Sequence, residues 1–154
     1  MRKIIYQRLD GGVSVVHPVI NTLGEVAGFT EAQAEQRAFA KLPADAINPR
    51  FVDAADIPTD RTFRDAWKPD LTVDMPKARE IHREHLRQMR APLLAALDAE
   101  YLRADELGDL TEKARIASKK IALRNVTADP AIGAAITPER LAAVIPPILT
   151  PDTL

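Results

Sequence analysis

Cysteine is absent from the 154 residues. That excludes structural disulfides, zinc–thiolate sites and thiol nucleophiles. Serine is nearly absent as well, with Ser14 in a predicted strand and Ser118 in a predicted helix. Neither sits in a G-x-S-x-G elbow. Aromatic residues make up 5% of the chain. Charge of one sign is missing too: 21 basic residues meet 22 acidic ones, for a formal net charge of −1. A general nucleic-acid binder carries a basic excess, so the balance argues against that role. No apolar run reaches the roughly 18 residues of a membrane span. The opening MRKIIYQRLDGG has no continuous apolar run of signal-peptide length. There is no phosphate loop and no G-x-G-x-x-G.

What is present is a change of period. Lys3-Ile4-Ile5-Tyr6 and Val13-Ser14-Val15-Val16 are β-branched runs separated by Asp10-Gly11-Gly12. The glycines tolerate the positive φ of a hairpin turn, so residues 3–19 read as a β-hairpin. Pro18 ends the second strand or confines it to an edge. Gly24 and Gly28 mark a loop. Thr30 caps a helix to about Lys41, with Ala34, Ala38 and Leu42 on its apolar side and Phe39 beside them. Pro43 and Pro49 bracket a connector, and Arg50-Phe51-Val52-Asp53 reads as a third strand. Residues 58–74 read as a junction, with one helical turn near 60–66 and an extended piece at 71–73.

Beyond Asp74 the period is helical. Asp74 is a good N-cap, and Pro76 falls in the first turn, where a missing N–H is harmless. The pattern runs to about Leu107, with Gly108 as its stop. Asp109, with Glu112 three residues on, opens a second helix to about Val126. A connection this short makes the two helices antiparallel neighbours. Charge sets their register: Asp98, Glu100, Asp105 and Glu106 face Lys113, Arg115, Lys119, Lys120 and Arg124. Thr137-Pro138-Glu139 starts a short third helix carrying Leu141, Val144 and Ile145, and Pro146-Pro147 stops it. The expected architecture is α+β. A small N-terminal antiparallel sheet with one helix (1–57) precedes a junction (58–74), a long helical hairpin with a short helix (75–146), and an extended tail (147–154).

The hairpin helices are unequal. The first spans about 33 residues, roughly 50 Å, and the second about 17, roughly 25 Å. The second reaches only the C-terminal half of the first. Ala78, Ile81, Leu86 and Met89 on the other half need cover from the sheet, the third helix, a second copy of the chain or a different protein. Pro92 inside the long helix predicts a kink.

Candidate chemistry is thin. His82-Arg83-Glu84-His85 has the spacing of neither zinc-helix motif, so no metal, cofactor or catalytic residue is assigned. His17, before Pro18 at a strand end, reads as a hydrogen-bonded structural histidine. Arg79, Arg83, Arg87 and Arg90 form a basic stripe at i+4, i+4 and i+3. It is either a dock for an acidic surface or a solvated face with local glutamate pairs. Phe63 and Trp67 share a face if the junction is helical. They then plug the space between the two halves or serve as an exposed anchor for a partner.

The segment Phe51-Val52-Asp53-Ala54-Ala55-Asp56-Ile57-Pro58-Thr59-Asp60-Arg61-Thr62-Phe63-Arg64-Asp65-Ala66-Trp67 resembles one that recurs in small phage and prophage proteins. So do Val73-Asp74-Met75-Pro76-Lys77-Ala78-Arg79-Glu80-Ile81-His82, Leu94-Ala95-Ala96-Leu97-Asp98 and Ala122-Leu123-Arg124-Asn125-Val126-Thr127. The helix pair followed by Leu-Arg and a Thr-Pro-Glu turn is loosely similar to the C-terminal part of tail fibre assembly chaperones. Those have a Trp in the second helix, where this chain has Ala117, Ser118, Lys119 and Lys120. The resemblance implies a non-catalytic tail-associated protein that binds a tail fibre or baseplate protein as an assembly factor, or a stoichiometric part of the virion tail. It implies the host cytoplasm during assembly, with retention on the tail as a further expectation. The residues assigned to partner contact are Phe63, Trp67, Arg79, Ile81, Arg83, Leu86, Arg87 and Met89. The expected partners are a fibre or baseplate protein and a second copy of the chain, with neither nucleic acid nor membrane.

Overall fold

The computed structural model describes residues 1–20 and 30–150. The loop expected at Gly24 and Gly28 and the last four residues lie outside them. The protein is α+β, with two compact units that meet at Asp74 and Met75.

In the first unit, strands β1 (Lys3–Gln7), β2 (Val13–Val16) and β3 (Ile47–Val52) form an antiparallel sheet in the order β2-β1-β3. The β1–β2 turn closes as its residues require: Gly11 has φ +80° and the Asp10 carboxylate accepts from the Gly12 N–H at 2.8 Å. β1 is the central strand and is covered on both faces, which is why it carries two consecutive buried isoleucines. Ile5 faces Val13, Val52, Ile57 and Trp67 in one cluster. Ile4 points to the opposite face, paired with Phe51.

That second face is where helix α1 (Glu31–Ala40) belongs. Thr30 caps it through a full capping box with Gln33. Glu35 of α1 is buried and takes three bonds from Arg2: the backbone N–H at 2.6 Å, Nε at 3.0 Å and Nη2 at 2.7 Å. The same guanidinium lies 4.4 Å from the Phe51 ring centre, and Phe51 stacks on Phe39 at 5.2 Å.

β3 begins three residues earlier than the expected 50–53 and includes Pro49. The register slips between Ile5 and Gln7, and Asn48 has φ +48°. Both mark a bulge on an edge strand, the setting that tolerates proline. Residues 58–74 belong to this unit. The expected helical turn near 60–66 is a single 3₁₀ turn, Arg64–Ala66, and the extended piece is a bridge between Trp67 and Val73. Asp60 and Asp70 each accept from the backbone and hydroxyl of the threonine two residues on.

The second unit is built on α2 (Met75–Glu106), which is continuous through Pro92. Gly108, at φ +71°, ends it in a Schellman motif, with Gly108 N–H on Asp105 O at 3.0 Å and Asp109 N–H on Ala104 O at 2.9 Å. Asp109 caps α3 (Leu110–Asn125), accepting from the Glu112 N–H at 2.9 Å, while the Glu112 carboxylate turns to Arg115. α3 runs back along α2 in the register that charge predicts. Lys113 pairs with Asp105, Lys120 with Asp98 at 2.5 Å, and Arg115 approaches Glu100 at 3.9 Å.

A 3₁₀ turn (Val126–Ala128) follows, then α4 (Pro130–Ala134), α5 (Pro138–Ala142) and a 3₁₀ turn (Pro147–Leu149). α4 is one turn that the apolar period does not disclose. Its start repeats that of α5, a capping side chain before a proline: Asp129-Pro130 and Thr137-Pro138. The tail is not extended from residue 147, because Leu149 is buried at the end of its turn.

Candidate functional site

The buried apolar positions on the first half of α2 are Ala78 and Leu86. They are 0% and 1% exposed. α5 and the turns at 126–128 and 147–149 pack on α2. Of the four covers open to the sequence, the third helix is one that packs on α2, together with these two turns.

The basic stripe is divided between two roles. Arg83 pairs with Glu80, and Arg87 with Glu84 at 3.0 Å, as a solvated face would. The other two arginines turn inward and meet helix ends. Arg79 Nη2 donates to Ala135 O, the C-cap of α4, at 3.1 Å. Arg90 Nη1 donates to Leu123 O at 3.4 Å and to Arg124 O at 2.5 Å, in the last turn of α3. His82 is 4% exposed, and its Nε2 lies 2.8 Å from Val144 O, just past α5. A carbonyl only accepts, so Nε2 carries the proton. Positions 79, 82, 86 and 90 share one helical face, so α2 serves the carbonyl ends of α3 and α4 and the residue just beyond the cap of α5 from a single side.

The residues expected to meet a partner therefore divide. Phe63, Trp67 and Leu86 are buried, at 3%, 2% and 1% exposure, and do not present their side chains to a partner. Trp67 is a core residue of the sheet unit. Phe63 and Trp67 also share no helical face, because only a 3₁₀ turn lies between them and Trp67 is extended. Ile81 is half-buried, and Arg79 is engaged with α4. Met89, Arg83 and Arg87 remain outward.

Apolar surface is instead exposed at the closed end of the hairpin. Leu107 is 83% exposed and Leu110 75%, on either side of Gly108-Asp109, with Leu102 at 62% one turn earlier on α2. Ile121, farther along α3, is exposed as well. Two leucines flanking a two-residue helix turn were the available signal. Periodicity misses it, because the pair straddles the stop between helices. Tyr101 stands on the same stretch of α2, its ring centre 5.3 Å from Lys113 Nζ and 5.1 Å from Lys120 Nζ.

His17 is exposed rather than hydrogen-bonded as expected. It lines a cleft with Lys3, Thr59 and Arg61. Partial desolvation in the cleft first, then Lys3, Arg61 and Arg64, hold its pKa below the ordinary imidazole value. Ser118 donates to Ala114 O at 3.0 Å within α3. Among the described residues, no group of three or more His, Asp or Glu is placed to hold a metal, and no helix is long and apolar enough to cross a membrane.

The class these observations define is an α+β protein whose second unit is a helical hairpin with an apolar closed end. Comparison of the chain with family models, with curated proteins and with solved structures found no match.

Proposed function

We propose that this chain is a non-catalytic, phage tail-associated protein that binds a tail fibre or baseplate protein as an assembly factor. The observation that carries the docking role is the cluster of exposed leucines at the closed end of the α2–α3 hairpin. Large apolar side chains at that exposure are stabilised by a protein surface. The tail assignment rests on the sequence resemblance in residues 50–145. The binding partner is a protein rather than nucleic acid, in keeping with the near-neutral charge. Assembly would take place in the host cytoplasm.

The test is co-expression with the tail fibre and baseplate proteins of the same genome. A complex on size exclusion is expected with one of them. It should be lost in Leu107→Asp/Leu110→Asp, whose thermal midpoint stays at the wild-type value because both positions are exposed. Separate elution from every such protein overturns the reading. A second reading, a stoichiometric component of the virion tail, draws support from the packing of α5 and the turns at 126–128 and 147–149 on α2. A fixed copy number in mass spectra of purified particles would favour it.

A further inference from the structure

The sheet unit carries a second feature that the docking role leaves unused. A cleft of about 290 Å³ opens beside the start of β1, where Lys3, His17 and Arg61 line it together with Thr59. Its remaining wall is apolar, formed by Ala54, Ile57 and Pro58. Arg64 adds a further positive charge acting on His17. These groups come from three separate stretches of chain: β1, the residue after β2, and the segment after β3.

Cations brought together at a surface are normally offset by carboxylates. Among the described residues, Lys3, His17, Arg61 and Arg64 have no hydrogen-bonded or ion-paired side-chain partner. No carboxylate lines the cleft: Asp60 accepts from Thr62, Asp65 approaches Arg8 at 3.9 Å, and Asp53 and Asp56 flank the lining residues Ala54 and Ile57 without lining it themselves. By contrast, Arg2, Arg8, Arg83, Arg87 and Arg115 all have carboxylate partners. The cleft thus combines donors without an acceptor, a hydroxyl and an apolar wall.

We propose that this cleft binds a phosphate group, with Arg61 and Lys3 as its charged donors and His17 as a third. Guanidinium presents a planar fork that matches phosphate oxygens, and Lys supplies a point charge. Thr59 adds a hydroxyl donor. The apolar wall fits the organic part of a phosphomonoester, while inorganic phosphate uses the donors alone. His17 is the built-in reporter. A bound dianion opposes the cations that lower its pKa, so binding raises it.

The experiment is proton NMR of the full-length chain, following the ring resonances of its three histidines. Inorganic phosphate, phenyl phosphate and sodium chloride are titrated at matched ionic strength. The expected result is a saturable shift confined to His17, with an upward move of its titration midpoint. Binding should weaken about tenfold or more in Arg61→Gln and in Lys3→Gln, the usual scale for losing one charge-assisted hydrogen bond. Arg61 is exposed and Lys3 half-buried in β1, and circular dichroism checks that both variants keep the fold. Tighter saturation by phenyl phosphate assigns an organic phosphate, and equal saturation assigns the free anion. A linear shift that chloride reproduces, or saturation unchanged in both variants, overturns the proposal.

Discussion

His82 Nε2 lies 2.8 Å from the carbonyl oxygen of Val144, 62 residues further along the chain. It is one of four bonds by which α2 meets the ends of its neighbours, the others being one from Arg79 and two from Arg90. The last carbonyls of a helix have no partner within it, and a helix of five residues has few others. Replacing His82 by Leu keeps much of the volume and removes the donor. The Val144 carbonyl then loses its bond beside a buried side chain, at a cost of about 1–3 kcal/mol. Urea unfolding followed by far-UV circular dichroism measures this. A loss below about 0.5 kcal/mol, the scale of neutral surface changes, would contradict the role.

Arg90 and Arg83 sit on the same sequence stripe and should behave differently. Arg90→Met keeps an apolar stem but leaves the Leu123 and Arg124 carbonyls without their guanidinium, and should cost about 1 kcal/mol or more. Arg83→Gln removes an exposed pair with Glu80, which is worth no more than about 0.5 kcal/mol. Unfolding midpoints of the two variants, compared in one buffer, decide the matter. Equal effects would mean that the helix-end bonds contribute nothing beyond an ordinary surface pair.

The difference between those two arginines was invisible in the sequence, and the reason is general. Periodicity reports which residues share a helix face but not what lies opposite that face. The hairpin turn at Asp10-Gly11-Gly12, the caps at Thr30 and Asp109, and the stop at Gly108 are local effects, decided by residues within a turn of one another, and all were legible. The α2–α3 register was legible because charge complementarity is linear along an antiparallel pair. The fate of the 78–90 stripe was not, because its cover arrives from residues 126–149, whose helices are too short to display a period. For Trp67 the sequence leaves a plug and an anchor open, because no local signal links it to Ile5, Val13 and Val52. The exposed leucines at the hairpin's closed end leave no periodic signal, because they lie on either side of a helix stop.

Arg2 and Glu35 make the sheet unit's stability depend on pH. Arg2 holds the Glu35 carboxyl below its ordinary value of 4.5, first through side-chain hydrogen bonds and then through its backbone N–H. The unfolded chain therefore binds a proton more readily at this site than the folded one. The stabilisation is fully present above pH 4.5 and is lost as pH falls through the lower folded value. Glu35→Gln removes the titration. The gap in thermal midpoint between wild type and variant should be widest near neutral pH and shrink steadily on acidification. A gap that stays constant from pH 7 to pH 3 would show that the carboxylate's charge plays no part.

Pro92 lies inside α2 at an exposed position, and the helix continues on both sides of it. A proline there has no N–H, so the carbonyl of Gln88, four residues earlier, lacks its intrahelical donor. The ring also crowds that carbonyl, and the combined penalty in a helix interior is about 3 kcal/mol. Because the side chain is exposed, no core packing depends on the ring. Pro92→Ala should therefore stabilise the second unit, by about 1–3 kcal/mol once relaxation of the surrounding helix is allowed for. Urea denaturation would show a higher midpoint with an unchanged slope, since the surface exposed on unfolding stays the same. An unchanged or lower midpoint would mean that the proline's local distortion is needed to bring Arg79, His82 and Arg90 to the helix ends they serve.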